Sequence, residues 1–447
     1  MNRSLWPACV LAVLLAAGCT QHAYAPPLQS TSPSLLQHAS GVATYKHLYD
    51  FAGGALGWDP YFGPIAVGHL LYGPTGGGGA SSKECRHGCG AVYSYDPIKG
   101  KYTIVYSFGA DADAENPGGL AADAKGNIYG PAAGGTYFVG AVFKLTQSKG
   151  RWSEQTIYSF KGGSQGAAPS QFVVDANGSI VGSAQNNSSS GPSCCGEIYQ
   201  LTPSGSTYTE REVHAFKRTD GQSPDVVTMG PNGVIYGVTL NGGNRINNVC
   251  QLNGCGTVFE LVPNNGTYAF KTLYKFHGIK DGSFPSGHLA FSPAGKGVPT
   301  IYGVTQTGGN GKCENAYGFT GGCGTVYALV PVNGKYPKAT LLHQFPAEGY
   351  GDGNAPRAGV TLDNGTLYGT TYNSNAPQEA NGYGLIFQLG TDGSHYAIVH
   401  AFSNASDGET TGASALSQVG NALYGSTIDG GIQKCGTGCG TLYRIAP

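Results

Sequence analysis

Short apolar segments alternate with glycine-rich turns from residue 44 to the end of the chain, and this pattern returns seven times with a period of about 50 to 70 residues. The most regular mark of each unit is a Gly that is followed three residues later by an aromatic residue. The seven marks are Gly90 and Tyr93, Gly140 and Phe143, Gly196 and Tyr199, Gly256 and Phe259, Gly324 and Tyr327, Gly384 and Phe387, and Gly440 and Tyr443.

Two further marks divide each unit into strands. Upstream of the Gly lies a Tyr-Gly pair, at Tyr72, Tyr129, Tyr236, Tyr302, Tyr368 and Tyr424, with Val181-Gly182 in the same place once. Each unit also has a short strand that ends in Phe, at Phe51, Phe108, Phe160, Phe216, Phe276, Phe345 and Phe402. The second unit illustrates the result, since turn residues separate 118–123, 127–130, 140–145 and 156–160. Four short antiparallel strands per unit predict one propeller blade, and seven units predict an all-β, seven-bladed β-propeller.

The ends of the chain are complementary. The last unit stops one strand short, whereas an unpartnered strand at 44–51 precedes the first complete unit. We therefore predict that 44–51 is the outermost strand of the blade formed by about 413–446, hydrogen-bonded to 440–445. Such a closure protects the edges that an open ring leaves unpaired.

The Tyr-Gly-x-Thr, Gly-Gly and Gly-Thr-Val-Phe pieces are best seen at Tyr236 to Thr239, at Gly242-Gly243 and at Gly256 to Phe259. They resemble the GloVer (Gloeobacter/Verrucomicrobia-type) tandem repeat of extracellular bacterial proteins with variable anchors. The resemblance covers about residues 44 to 447 and implies the same architecture and an extracellular location. It brings no catalytic residues, because the family has none assigned.

Composition narrows the class of partner. Charged residues make up 11% of the chain, which has 74 Gly and 28 Tyr, and 25 Lys and Arg nearly balance 26 Asp and Glu. Without a basic block the chain lacks the electrostatic footprint of a nucleic-acid-binding protein, so we expect no nucleic-acid partner. We expect a monomer.

The first residues resemble a bacterial lipoprotein signal. Arg3 precedes an apolar run at 8–17, and Leu15 to Gly18 lead to Cys19. We therefore expect a signal peptide at 1–18, a lipid on Cys19, a flexible linker at 19–43 rich in Pro, Ser, Gln and Ala, and the propeller at 44–447. Ordinary secretion with cleavage after Ala25 is the alternative, but Pro26 would then follow the cut. The expected location is the outer membrane, the cell surface or the periplasm, with the protein exported and lipid-anchored.

Ten cysteines outside the signal and anchor fall into local pairs, each in a loop between the second and third strands and each ending just before the marker Gly. In an oxidising compartment they predict five disulfides: Cys85 with Cys89, Cys194 with Cys195, Cys250 with Cys255, Cys313 with Cys323, and Cys435 with Cys439. Zinc binding is the alternative, although a structural zinc site needs four ligands and the pairs lie in different blades. We expect the vicinal disulfide of Cys194 and Cys195 to make its loop rigid, with a redox switch or a flat hydrophobic platform as the alternatives.

Loops that join one blade to the next repeat an Asp-Gly pair, at Asp220, Asp281, Asp352 and Asp407, with Asp111 and Asp113 near the equivalent place. Carboxylates repeated in this way suit Ca²⁺. Asp before Gly is also ordinary turn chemistry, and a need shared by all blades favours the turn. We therefore expect no cofactor, with Ca²⁺ as the alternative.

Residues that break the repeat are the better ligand candidates, because the consensus already meets the structural needs. They lie in the first interblade loop and the longest cysteine loop: Trp58, Asp59 and Tyr61 in the former, and Lys312, Glu314 and Tyr317 in the latter. Aromatic faces beside polar groups suit sugar rings or a partner's side chain. The alternative is that these aromatics pack over their own loops.

No nucleophile elbow, zinc-protease motif or phosphate loop is present in the sequence. His47, His214, His343 and His400 fall in predicted outermost strands, where a polar side chain is ordinary. The sequence thus favours a surface-anchored, non-enzymatic binding or scaffold propeller that recognises a glycan or an envelope protein. The alternative is a polysaccharide-active hydrolase or lyase with acidic residues at the channel mouth.

Overall fold

Every repeat unit becomes one twisted antiparallel sheet in the computed structural model. The structure describes residues 41–80, 85, 88–109, 114–162, 166–186, 195–246, 250, 253–293, 297–310, 313, 321–346, 352–373, 383–402 and 406–447. Within these residues seven sheets are present, and residues 41–447 form one compact unit. The all-β, seven-bladed β-propeller predicted from the sequence is confirmed.

The strands are numbered in chain order. Blades 1 to 3 contain β2 (Ile65–Val67), β3 (Leu70–Thr75), β4 (Ala91–Asp96) and β5 (Lys101–Ser107); β6 (Ala114–Pro117), β7 (Ala121–Ala122), β8 (Ile128–Gly134), β9 (Ala141–Ser148) and β10 (Arg151–Ser159); and β11 (Ala167–Pro169), β12 (Val173–Val174), β13 (Ile180–Asn186), β14 (Glu197–Ser204) and β15 (Thr207–Ala215). Blades 4 and 5 contain β16 (Gln222–Met229), β17 (Ile235–Asn241), β18 (Thr257–Asn264) and β19 (Thr267–Lys275); and β20 (Ser283–Phe291), β21 (Ile301–Thr307), β22 (Thr325–Leu329) and β23 (Ala339–Gln344).

Blades 6 and 7 complete the ring. They contain β24 (Val360–Asp363), β25 (Thr366–Thr371), β26 (Leu385–Gly390) and β27 (Ala397–Ala401); and β28 (Glu409–Thr411), β29 (Ser417–Val419), β30 (Ala422–Asp429) and β31 (Thr441–Ala446), with β1 (Thr44–Asp50) outermost. Two three-residue 3-10 helices, Gly54–Leu56 and Pro231–Gly233, are the only helices in the described part of the chain. No helix among these residues is long and apolar enough to cross a membrane.

The two ends of the propeller close it by strand pairing. β1 runs antiparallel to β31, with Thr44 opposite Ala446 and Asp50 opposite Thr441. The Phe51 N–H continues the ladder by donating to the Gly440 carbonyl oxygen at 3.0 Å. The predicted pairing of 44–51 with 440–445 is therefore confirmed.

The Gly of each Tyr-Gly pair makes room for an aromatic ring. It pairs across the sheet with the aromatic residue of the Gly-x-x-aromatic mark, as Gly237 does with Phe259 and Gly303 with Tyr327. A Cβ on either Gly would collide with that ring. The rings, such as Phe259 and Tyr327, are fully buried. The Gly of the second strand therefore leaves the space that the aromatic ring of the third strand fills in the core of the blade.

A repeated contact joins each blade to the next. Near the start of each blade lies a residue with left-handed backbone. Its N–H donates to the carbonyl oxygen of the residue before the previous blade's marker Gly. These residues, with φ between 46° and 59°, are Asp59, Asn116, Ala168, Ser223, Phe284, Ala355 and Thr410. All but Thr410 precede a Pro, and an added Cβ on the preceding blade's marker Gly would collide with the ring of that Pro, as at Gly256 and Pro285. We call this joint the interblade latch. It consists of the hydrogen bond from the left-handed residue to the previous blade and of the packing of the following Pro on the marker Gly of that blade.

The sequence underestimates the length of the outer strands. The pattern predicts the fourth strand of blade 2 at 156–160, whereas β10 begins at Arg151 and pairs with β9 along its whole length. The extension, Arg151 to Gln155, is polar except for Trp152, which packs edge-on against Tyr72 of the preceding blade. Hydrophobic patterning therefore fails to predict those strand residues that are held mainly by the backbone hydrogen bonds of a hairpin.

The interblade latch predicts that a marker Gly tolerates no side chain. In Gly256→Ala the Cβ would lie 2.5 Å from the Thr239 carbonyl oxygen and against Pro285, in a backbone with φ of 91°. We expect a loss of about 2–4 kcal/mol in the free energy of unfolding, measured by urea titration. The matched control is Gly266→Ala, in a hairpin turn with φ of 80° and no atom within 4 Å, for which about 1 kcal/mol is expected. Equal losses in the two variants would contradict the latch.

Candidate functional site

One face of the propeller gathers the loops that vary. The loops between second and third strands contact those that join successive blades, as the bridges between Trp58 and Gly77 and between Asn354 and Asn373 show. We call this side the loop face, and the opposite side, where the short hairpin turns lie, the turn face. The central channel opens on both.

The latch places one variable residue per blade at the loop-face end of the channel. This residue follows the Pro, or Thr411 in blade 7, and the backbone before it is the same in every blade. The seven residues, which we call the mouth ring, are Tyr61, Gly118, Ser170, Asp225, Ser286, Arg357 and Gly412. A constant backbone followed by five residue types at seven positions is the arrangement expected of a recognition surface.

Charge in the mouth ring is concentrated on Arg357. Its guanidinium lies over the ring of Tyr372, 4.1 Å from the centroid, and its Nε is buried without a hydrogen-bond acceptor. Burial raises the pKa of the Tyr61 hydroxyl, and the nearby positive charge of Arg357 opposes that shift. Asp225 accepts a hydrogen bond from the Gly287 N–H at 2.9 Å, and desolvation by burial raises the pKa of its carboxyl.

Below the mouth ring a hydrogen-bonded bar crosses the channel. His288 Nε2 lies 3.0 Å from Gln171 Oε1, and His288 Nδ1 lies 3.3 Å from Thr228 Oγ1. Burial lowers the pKa of His288 to about 4, so the ring is neutral at physiological pH. The bar links blades 3, 4 and 5. Its Gln171 and His288 line a cavity of about 880 Å³ whose lining also includes Met229, Phe291 and Tyr302.

A second cavity, of about 530 Å³, lies on the loop face beside the mouth ring. Its lining combines two aromatic rings with polar side chains: Phe62, Phe138, Asn116, Ser170, Gln171 and Gln185. We call it the aromatic groove. Phe138 is 84% exposed and Tyr137 beside it is 49% exposed, which is unusual for large aromatic side chains. Phe62 in turn packs edge-on against Tyr61, so the groove leads directly to the mouth ring.

The Gloeobacter/Verrucomicrobia repeat matches this chain at residues 34–248 and 132–318, which together cover more than half of it. The chain belongs to the Gloeobacter/Verrucomicrobia repeat family. The resemblance stated from the sequence is thus confirmed. No curated protein matches the chain.

Solved structures share the fold at low identity with this family member. A puromycin-hydrolysing peptidase of Mycobacterium tuberculosis has 12% identity and a TM-score of 0.50 over 86% of this chain, which spans about half, 52%, of that protein. The β-propeller domain of the Trilobed protease of Pyrococcus furiosus has 9% identity, a TM-score of 0.46 and coverage of 91% and 93% of the two chains. A gluconolactonase of Xanthomonas campestris has 16% identity, a TM-score of 0.38 and coverage of 90% and 89%.

The first predicted ligand loop has three different roles in this Gloeobacter/Verrucomicrobia repeat protein. Trp58 pairs with Gly77 through the backbone, and its indole lies where a Cβ on Gly77 would be. Asp59 takes the latch position of blade 1, and burial together with the Asp429 charge raises its pKa to about 6. Tyr61 belongs to the mouth ring and is 42% exposed. The structure therefore brings Tyr61 to the candidate site, whereas Trp58 packs on the neighbouring loop between β3 and β4.

The other predicted ligand residues, Lys312, Glu314 and Tyr317, lie outside the described residues, as do Cys19 and Cys194. The sequence interpretation also missed Phe138, Asn116, Gln171 and Arg357. The signal for Arg357 was available, since the residue after each latch Pro differs from blade to blade. Phe138 lies in a short loop of ordinary composition, and only the structure shows that its ring is exposed.

Disulfide bonds are present in the loops that the sequence indicated. They join Cys85 to Cys89, Cys250 to Cys255, Cys313 to Cys323 and Cys435 to Cys439, with Cα atoms 5.0–5.2 Å apart. The second cysteine of each supplies the carbonyl oxygen of an interblade latch, as Cys255 does for the Phe284 N–H. Among the described residues, Cys85, Cys89 and Glu115 form the one cluster of metal-ligand types, and both of its sulfurs are disulfide-bonded.

The Asp residues of the Asp-Gly pairs hold their loops to the preceding outer strand. Asp281 accepts hydrogen bonds from the Tyr274 hydroxyl at 2.6 Å and from the His277 N–H at 2.7 Å. His343 and His400 lie 3.1 and 3.0 Å from Asp352 and Asp407, respectively. His343 also stacks on Tyr396 of the next blade, with ring centroids 3.8 Å apart. These partners give the repeated Asp residues a turn role that blades 4 to 6 share.

Glu197 departs from the repeat inside blade 3. It directly follows the marker Gly, where blades 4, 5 and 7 have Thr, and it is fully buried with neither carboxylate oxygen hydrogen-bonded. Desolvation, with smaller contributions from the Glu210 and Glu212 charges, raises its pKa to about 8. The carboxyl is therefore protonated in the folded protein at neutral pH.

Glu197 should make stability depend on pH. Between about pH 5 and 8 the folded carboxyl holds a proton that the unfolded one has lost, so the free energy of unfolding falls as pH rises, by about 1 kcal/mol per pH unit. Glu197→Gln removes this contribution, so its stability relative to the native protein should increase from pH 5 to pH 8 in urea titrations. Glu212→Gln, exposed on the neighbouring strand, is the control. A constant difference in stability between Glu197→Gln and the native protein from pH 5 to pH 8 would refute the raised pKa of Glu197.

Proposed function

We propose that this chain is an exported, non-enzymatic binding propeller that recognises a glycan in the aromatic groove. The observation that carries the proposal is the exposed ring of Phe138 at a polar groove that also contains Phe62. Exposed aromatic faces cost free energy in water unless a ligand covers them. Sugar rings offer apolar faces for stacking and hydroxyl groups for the amides of Asn116 and Gln185.

The size and construction of the groove suit this role. A volume of about 530 Å³ lies within the range of small-molecule sites. Its walls come from blades 1, 2 and 3, which the interblade latches join, so the groove is formed before the ligand arrives. A preformed site spends little binding free energy on ordering its own loops.

The distribution of carboxyl groups supports binding over catalysis. Within the described residues four carboxyl groups have raised pKa values: Asp59 in the first interblade loop, Glu197 and Glu210 in neighbouring strands of blade 3, and Asp225 in blade 4. Of the two in blade 3, Glu197 is fully buried inside the blade. A glycoside hydrolase needs two carboxyl groups on either side of one bond. Asp59 has Asp429 nearby, but a disulfide-bonded loop and the latch of blade 1 surround this pair.

Export and anchoring belong to the same proposal. Disulfides in the loops fit an oxidising compartment outside the cytoplasm. We propose that Cys19 carries the lipid and that the chain is attached at the outer membrane or cell surface. β1 enters the propeller at the turn face, since Thr44 pairs with Ala446 and Asp50 lies near the marker Gly440.

The groove predicts which substitutions abolish glycan binding. The purified exported protein is incubated with envelope and plant polysaccharides while retention and release of fragments are followed by mass spectrometry. Phe138→Ala and Phe62→Ala should each weaken retention about 5- to 150-fold, because the loss of an aromatic stack costs about 1–3 kcal/mol of binding free energy. Ile98→Ala, at a residue 78% exposed on the turn face, should leave retention unchanged.

Two results would overturn the proposal. Soluble fragments would show an enzyme and make Asp59 and Asp225 the first targets for substitution. Retention that survives both groove substitutions would place the glycan site elsewhere on the protein.

A further inference from the structure

Arg357 is a charged residue of the mouth ring that forms no ion pair with a described carboxylate. Eight ion pairs are formed among the described residues, and Arg357 belongs to none of them. The nearest acidic member of the ring is Asp225, whose carboxylate already accepts the Gly287 N–H and whose pKa is raised by burial. Since a guanidinium stays charged at any physiological pH, its charge is uncompensated in this part of the chain.

The side chains around Arg357 also have unused hydrogen-bonding capacity. Arg357 Nε is buried and has no acceptor, and Ser286, 2% exposed at the equivalent position of blade 5, has a buried hydroxyl without a partner. The two blades touch at this level, because a Cβ on Gly287 would collide with the Arg357 carbonyl oxygen. Buried polar groups without partners are costly, so two of them at adjacent ring positions indicate that a ligand supplies the missing acceptor.

Tyr372 fixes the direction of the guanidinium. The ring lies 4.1 Å from the Arg357 Cζ and covers one face of the planar group, which leaves the edge with its N–H donors free. A planar fork of donors matches the two oxygens of a carboxylate. Tyr61, two mouth-ring positions from Arg357 on the side away from Ser286, is 42% exposed and within range of the Arg357 charge. It offers an aromatic face to the body of the ligand.

We propose that the mouth ring binds the carboxylate of a uronic acid, so that the protein selects acidic over neutral glycans. Arg357 pairs with the carboxylate, the Ser286 hydroxyl donates to it, and the sugar packs against Tyr61. The inference rests on the proposed glycan-binding function and names its ligand class. A glycan that continues from the ring reaches the aromatic groove through Phe62, which contacts Tyr61 edge-on with centroids 5.0 Å apart.

The test uses two ligands that differ only in charge. Oligogalacturonate and the same oligomer with methyl-esterified carboxyl groups are titrated into the purified exported protein by calorimetry. We expect the acidic oligomer to bind at least tenfold more tightly, with an affinity that falls as salt is raised. Arg357→Gln should remove this preference while binding of the ester changes less than twofold. Arg357→Lys should keep part of it, and Ser286→Ala should reduce it severalfold. Lys335→Gln, in a turn-face hairpin, is the control and should change nothing.

A second measurement separates this inference from the proposed function. The ¹⁵Nε–¹H signal of Arg357, assigned by its loss in Arg357→Gln, is followed during titration with glucuronate and with glucose. A shift with glucuronate alone supports the carboxylate site even if neutral glycans fail to bind and the groove proposal falls. Absence of a glucuronate shift, or equal affinity for the acidic and esterified oligomers, would overturn the inference while leaving a neutral-glycan groove intact.

Discussion

The close contact between a proline ring and a glycine without a side chain is the constraint on which this propeller depends. The marker Gly of each third strand can carry no side chain, because the first residues of the next blade pack on it. Its carbonyl oxygen accepts a hydrogen bond from the N–H of the Phe that ends the outer strand, as Gly256 does from Phe276. The carbonyl one residue earlier receives the latch N–H. Two residues of a blade thus hold the outer strand of the same blade and the inner strand of the next.

This constraint also explains how the site can be diverse. The backbone on one side of each mouth-ring residue is fixed by the latch and, in five blades, by a cysteine that precedes the marker Gly. The side chain of the mouth-ring residue itself contributes little to the interblade latch. Tyr61, Asp225 and Arg357 can therefore occupy equivalent positions without disturbing the closure of the propeller. Recognition is thereby separated from folding, although both use the same short segment of chain.

Much of the architecture could be predicted because the same sequence marks occur in all seven repeat units. The blade count, the closure by 44–51 and the placement of the disulfide bonds follow from marks that recur, and local packing needs such as Gly237 under Phe259 produce those marks. The candidate site was harder to predict from the sequence. Gln171 and His288 are 117 residues apart and meet across the channel, and Arg357 meets Tyr372 because two loops share a face. A single sequence carries no sign of such distant pairs. Tyr61 was found because its loop interrupts the repeat, whereas Arg357 occupies a regular position with an unusual side chain.

The closure between β1 and β31 gives the molecule a mechanical property. A load applied to the chain before Thr44, with the loop face held by a ligand, pulls β1 along its own axis. The hydrogen bonds to β31 stand perpendicular to that axis, so they share the load and must fail together in shear. A hairpin pulled from its open end would instead release its bonds one at a time. The strand that completes the ring is therefore also the strand best oriented to resist being drawn out of it.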